Sequence, residues 1–190
     1  MLTASAILQA IRKKEIIIDP FDEKNLNPNS YNVHLGPILK AYNKDRVLDP
    51  KSENRPDFEF LLKEEGTIIY PGHLYIGNIV ERVATNFYIS AIDGRSSIGR
   101  LGLQIHATAG FGDIGFDGHY TLEIIPTIPI RVYPGLSIGQ VYFEKPDGDV
   151  DFLYNGRYQH QVEPTTSRIY IKDEDLNDGY FYKSKKEEEK

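Results

Sequence analysis

Thr67-Ile68-Ile69-Tyr70-Pro71-Gly72-His73-Leu74-Tyr75-Ile76-Gly77-Asn78-Ile79-Val80-Glu81-Arg82-Val83 holds two runs rich in β-branched and aromatic residues, Thr67 to Tyr70 and Leu74 to Val83, split by a Pro-Gly pair. Runs of this composition favour strands, and Pro-Gly supplies the dihedrals of a tight turn. Downstream the pattern repeats over Phe87 to Ile92, Leu103 to Ala107, Tyr120 to Ile125, Ile130 to Tyr133 and Ser137 to Phe143, with turn signals at Asp93-Gly94, Asp117-Gly118 and Pro134-Gly135. Short strands at this spacing predict an all-β fold with short helices, a barrel or a jelly roll.

Upstream the period changes. Ala4, Ile7, Leu8 and Ile11 fall on one helical stripe, with Thr3 placed as a cap and Arg12, Lys13 and Lys14 at the C-terminal end, so one short helix is expected. Arg46 to Glu65 is polar, and Asp49-Pro50 and Arg55-Pro56 discourage helix, which predicts a long loop interrupted by a strand. Residues 173–190 form a charged tail with little to bury, and its end, Lys183 to Lys190, is expected to be mobile. Residues 1–172 are expected to be a single domain, since all-β domains often reach this size undivided.

Composition narrows the functions. The 190 residues carry a formal charge of -6, which disfavours wholesale binding to nucleic acid or an anionic membrane, so any phosphate site must be local. The absence of cysteine removes disulfides, thiolate nucleophiles and cysteine-containing zinc sites. No apolar run approaches the roughly 20 residues of a membrane span, and the N-terminus does not read as a secretory signal. The expected compartment is the cytoplasm.

The chemistry concentrates between Asp93 and Glu123. Asp93-Gly94-Arg95-Ser96-Ser97-Ile98-Gly99-Arg100 joins two guanidinium forks, two hydroxyls and glycines that admit close backbone approach, a set suited to a polyphosphate. Taken alone it reads more readily as an ordinary surface turn. Glycines surround Asp113 and Phe116, describing a tight hairpin loop with a carboxylate for a sugar hydroxyl and a ring for a flat face. Period-two alternation then puts His119, Thr121 and Glu123 on one face and Tyr120, Leu122 and Ile124 on the other. An isolated Glu in a strand is ordinarily a solvated one, but the following Ile124-Ile125-Pro126 suggests that Glu123 enters covered territory, where a carboxyl can serve as acid and base. His106 and His119 are read as structural histidines in strands, and no metal is assigned to any side chain.

These residues resemble a known family. Gly94 to Gly102, His106-Ala107-Thr108-Ala109-Gly110-Phe111, Asp113, Gly115-Phe116, Gly118 and Thr121-Leu122-Glu123 look like the dCTP deaminases of the dUTPase-related superfamily. Tyr133-Pro134-Gly135, Ile138-Gly139-Gln140, Tyr154-Asn155-Gly156-Arg157-Tyr158 with Gln161, and Asn29 to Gly36 extend the likeness.

The resemblance implies a homotrimer of distorted β jelly rolls with nucleotide sites where subunits meet, binding dCTP or dUTP with Mg2+ on the phosphates and no zinc. It implies phosphate and catalytic roles for Arg95, Ser96, Ser97, Ile98, Gly99 and Arg100, a deoxyribose role for Asp113, and base contacts for Thr121, Leu122 and Glu123. Gln140 belongs to the same nucleotide site, and Tyr154, Arg157 and Gln161 to a C-terminal segment that folds over it. The implied reaction is hydrolytic deamination without a metal: Glu123 shuttles protons, Ser96 and the Ala109 carbonyl hold the water, and Arg100 orients the site.

Thr108-Ala109-Gly110-Phe111 and Gln140 lean toward members that cleave on to dUMP and diphosphate. A plain dUTP diphosphatase, or a nucleotide-binding regulator without turnover, stays open, as does inhibition by dTTP. Asn32, Arg157 and Val162-Glu163-Pro164 depart from the family pattern, which leaves the closure of the segment open.

Overall fold

Leu122 and Ile124 are fully buried, and their burial fixes which face of the strand Asp117–Pro126 turns inward. In the computed structural model, which describes residues 1–172, the chain forms helix α1 (Ala4–Arg12) and then strands β1 (Ile16–Asp19), β2 (Leu26–Asn27), β3 (Ser30–His34), β4 (Ile38–Ala41), β5 (Phe58–Leu61) and β6 (Thr67–Ile69). The long strand β7 (Tyr75–Thr85) leads to β8 (Ile89–Gly94), the single-turn helix α2 (Ser96–Gly99), β9 (Leu103–Gln104) and β10 (Phe111–Gly112). Then come β11 (Asp117–Pro126), β12 (Ile130–Val132) and β13 (Ser137–Glu144).

One sheet has the order β5-β4-β7-β11-β9, with β1 also on β7; the other has the order β10-β8-β13-β3-β2; β12 and β6 make a small ribbon. All the pairings are antiparallel. The two larger sheets share one apolar core, built from Ile79, Val83, Leu122 and Ile124 on one side and Val33, Val141 and Phe143 on the other. This fits the all-β barrel or jelly roll expected from the strand spacing and the distorted jelly roll that the resemblance implies. Ile7 and Ala10 of α1 close one end of that core, and truncating a fully buried residue such as Leu122 to Ala would cost about 2–5 kcal/mol.

Several local expectations give way to the tertiary fold. Thr3 makes no side-chain cap to α1; its hydroxyl lies 3.2 Å from Ser5 Oγ instead. Ile16-Ile17-Ile18 and Ile38 to Ala41 are strands beyond the runs read above, recruited as partners of the long β7. Asp93-Gly94 and Asp117-Gly118 are not turns: the first ends β8 and the second begins β11. The segment around Asp113 is not a hairpin either, because β10 pairs with β8 in one sheet while β11 pairs with β7 in the other. The expected strand Leu103 to Ala107 ends at Gln104, so His106 sits in a loop while His119 lies in β11. Beyond Gln104 the Ala107 N–H donates to a side chain, not to a neighbouring strand. The charged tail lies outside the described residues.

Candidate active site

The alternation in β11 is realised: Tyr120, Leu122 and Ile124 are buried, while His119, Thr121 and Glu123 occupy the outer face. Glu123 is held at two points. Its N–H donates to the Ile105 carbonyl at 2.9 Å, and its Oε2 accepts the Ala107 N–H at 2.9 Å. A carboxylate receiving a backbone N–H is oriented without losing its second oxygen, which leaves Oε1 for chemistry. The same loop continues to Ala109.

The turn between β10 and β11 is built on glycine. A Cβ at Gly112 would lie 1.9 Å from the Tyr120 hydroxyl, and Gly115, at φ +97°, adopts a left-handed conformation beside Leu153 and Tyr154. That close passage buries Phe116 against Tyr120, with ring centroids 4.9 Å apart, and places Tyr154 6.2 Å from the same ring. The Tyr120 hydroxyl meets Ser90 Oγ at 2.6 Å. Burial raises its pKa to about 12; the Ser90 bond lowers it and the Asp113 charge adds to the rise.

Residues 154–168 lie along β11. Tyr154 N–H donates to the Ile114 carbonyl at 2.7 Å and His160 N–H to the Asp117 carbonyl at 2.8 Å. His119 N–H donates to the Gln161 carbonyl at 2.9 Å, and Gln161 Nε2 returns a bond to the His119 carbonyl at 2.9 Å. Gly118 permits this approach, since a Cβ there would lie 3.0 Å from Gln161 O. Gln161 Oε1 is left buried with no hydrogen-bond partner among the described residues. Val162, Glu163 and Pro164, the departures noted above, are accommodated: Asn78 Nδ2 donates to the Val162 carbonyl at 2.9 Å and Lys40 Nζ to that of Pro164 at 2.9 Å. Arg157 Nε donates to the Ile171 carbonyl at 2.8 Å, and Asn32 Oδ1 accepts from Asn27 Nδ2 at 2.9 Å.

Between this segment and the sheet lies a cavity of about 590 Å³. It gathers Ala109, Asp113, Thr121, Glu123, Tyr154, Arg157 and Gln161 from the residues expected at a nucleotide site. It does not gather Arg95, Ser96, Ser97, Ile98, Gly99, Arg100, Leu122 or Gln140. Ile98 and Leu122 turn into the core, so only their backbones are available. Ser96, Ser97 and Arg100 are exposed on and just after α2. Arg95 donates to the Ser137 carbonyl at 3.3 Å, and Gln140 Oε1 accepts from Ser30 Oγ at 3.0 Å, both within the other sheet.

Tyr158, quoted above within the motif from Tyr154, also lines the cavity, which further recruits Tyr42, Leu74, Ile76, Thr165 and Ser167, missed by sequence reasoning. None carries a local signal; they arrive from separate segments through sheet pairing and the crossing C-terminal stretch. Among the described residues no group of three or more His, Asp or Glu side chains forms a ligand cluster. No described helix is long and apolar enough to cross a membrane.

Comparison with known proteins bears on the family and the fold. Residues 1–146 match the family model described as dCTP deaminase-like. A Clostridium botulinum protein named dCTP deaminase, dUMP-forming, is 47% identical over 170 residues, covering 90% of this chain and 96% of its own. Proteins of the same name from Leptospira biflexa, 44% identical over 170 residues (90% of this chain and 96% of that one), and Cytophaga hutchinsonii, 43% identical over 156 residues (82% and 89%), also match. The crystal structure of 2'-deoxycytidine 5'-triphosphate deaminase from Agrobacterium tumefaciens shares the fold at a TM-score of 0.61 and 22% identity, over 76% of this chain and 48% of that one. With most of its length matched by the family model and relatives near 45% identity, the chain belongs to the dCTP deaminase-like family.

Proposed function

We propose that this chain hydrolyses dCTP to dUTP and ammonia and carries the product on to dUMP and diphosphate. The observation that carries the reading is Glu123: a carboxylate tethered by the Ala107 N–H on the wall of a cavity that also holds Asp113, Thr121 and Gln161. In the reaction, Glu123 takes a proton from water as the water oxygen bonds to the ring carbon bearing the amino group, and it delivers that proton to the adjacent ring nitrogen. A second transfer, from the new hydroxyl through Glu123 to the amino group, lets ammonia leave and restores a carbonyl. Ser96 and the Ala109 carbonyl hold the water, and Arg100 orients the site. Gln161 Oε1, without a partner in the free chain, accepts from the exocyclic amino group. Asp113 binds the deoxyribose hydroxyl, with Phe116 and Tyr120 beneath.

The cavity of one chain is an incomplete site, because Arg157 is the one arginine or lysine among the described residues that line it. Arg95, Ser96, Ser97 and Arg100, with Gln140 behind them, reach the triphosphate from a neighbouring copy, and three copies close the ring as a homotrimer. Mg2+ is carried on the phosphate oxygens, which suits a cavity whose carboxylates form no three-ligand cluster. dTTP, with the same sugar and phosphates, competes for the cavity. The enzyme works in the cytoplasm, on free nucleotide.

Incubating the purified protein with dCTP, dUTP and magnesium, and following ammonia and diphosphate separately, tests this. Ammonia from dCTP, with dUMP as the final product, supports it. Diphosphate from dUTP without ammonia marks a diphosphatase, and binding with neither product marks a regulator.

A further inference from the structure

Asn78 is a polar residue left only 7% exposed, on the outer side of β7 and directly opposite Thr121 of β11. It lies outside the residues lining the cavity. Its orientation is set by packing. The Asn78 carbonyl accepts the Gly36 N–H at 2.7 Å, and a Cβ at Gly36 would lie 2.5 Å from Asn78 Oδ1, so only glycine leaves room for the carboxamide oxygen there. The amide nitrogen is thereby turned toward carbonyls. Nδ2 donates to Ile79 O at 3.1 Å and, 84 residues along the chain, to Val162 O at 2.9 Å.

Val162 itself is 65% exposed, so its side chain does nothing to hold this stretch down. The stretch is held by its backbone instead. Thr165 N–H donates to Thr121 Oγ1 at 3.2 Å, and Lys40 Nζ donates to Pro164 O at 2.9 Å while lying 3.5 Å from Glu59 and 3.8 Å from Glu163. Two donors from the sheet, Asn78 and Lys40, therefore clamp the carbonyls on either side of Glu163. The residue immediately before the clamp is Gln161, whose unpartnered Oε1 lies in the buried wall.

We infer that Asn78 is a positioning residue for the reaction: its amide latches Val162 so that Gln161 and the segment around it stand over the cavity before nucleotide arrives. Lys40 is the second half of the latch. This rests on the reading of residues 154–168 as the nucleotide cover. A latch of this kind lowers the ordering cost that substrate binding would otherwise meet, so its loss acts on KM more than on kcat.

The test uses Asn78→Asp, which keeps shape but sets a carboxylate oxygen against the Val162 carbonyl, and Lys40→Met, which removes the second donor. Hydrogen exchange on the nucleotide-free protein reads the latch directly. Amides of residues 157–168 are expected to exchange about tenfold faster in Asn78→Asp, the equivalent of one lost hydrogen bond, while core-strand amides are unchanged. The KM for dCTP is expected to rise about tenfold with kcat within about threefold.

Unchanged exchange in residues 157–168 overturns the latch. Faster exchange with an unchanged KM overturns the positioning role, and ammonia release by the wild type then shows that the deaminase reading survives it. Should Asn78→Asp not fold, Lys40→Met decides alone: exchange at residues 162–166 must rise, and wild-type protection there overturns the proposal.

Discussion

Glu123 and Ala107 are joined by a single hydrogen bond of 2.9 Å, from the Ala107 backbone N–H to the Glu123 carboxylate, across 16 residues of chain. The bond ties the middle of β11 to the loop that carries Ala109, and so sets the Glu123 carboxylate and the Ala109 carbonyl, proposed above to hold the water, in one frame.

Glu123→Gln keeps this geometry through its amide oxygen but cannot cycle a proton. Ammonia release from dCTP is expected to fall to background while nucleotide affinity, measured by calorimetry, stays within about tenfold. Deamination near the wild-type rate would remove Glu123 from the mechanism.

Arg95→Ala is expected to weaken triphosphate binding by about 1.5–3 kcal/mol for each charge-assisted bond lost. Because Arg95 lies outside the cavity that holds Glu123, mixing Arg95→Ala and Glu123→Gln proteins under conditions of subunit exchange should restore deaminase activity above that of either parent. Activity no greater than the parents' would show that both residues must come from one chain.

Gly112→Ala brings a methyl group to 1.9 Å from the hydroxyl of Tyr120, a buried ring held against Phe116 and Ser90. Overpacking of this kind costs about 1–3 kcal/mol, read as a lower melting temperature, and it displaces the adjacent Asp113, raising KM for dCTP. An unaltered melting curve would mean that the passage is looser than the geometry allows.

Tyr120 has a folded-state pKa of about 12 against an ordinary value of 10.0, raised chiefly by burial. A group whose pKa is raised on folding contributes its full stability below pH 10 and loses it as pH climbs toward 12. The contribution at stake is roughly 2–3 kcal/mol. Unfolding titrations from pH 9 to 12 should show Tyr120→Phe losing less stability over that window than the wild type; parallel curves would exclude Tyr120 as the source.

Much of the fold was legible locally. The runs Thr67 to Tyr70 and Leu74 to Val83 became strands with ends shifted by one or two residues, and the alternation from His119 to Ile124 gave the inward and outward faces expected, because side-chain period is set residue by residue. What misled were signals that tertiary pairing overrides. Asp117-Gly118 reads as a turn, yet Gly118 is a strand residue whose missing side chain admits Gln161, a partner 43 positions away. His106 lies beyond the end of its expected strand, which pairs with β11 only through Leu103 and Gln104, and the next residue's N–H bonds the Glu123 carboxylate instead.

By itself, then, the order of residues determined the β character of the chain, the orientation of Glu123 and the exclusion of cysteine chemistry, since these depend on side-chain type and a two-residue repeat. Only the folded chain decided which of the polar residues share a cavity. Asp113 and Gln161 meet there while Arg95 and Gln140 stay on the other sheet, because the partner of a strand is chosen by burial and hydrogen bonding over distances that no local pattern encodes.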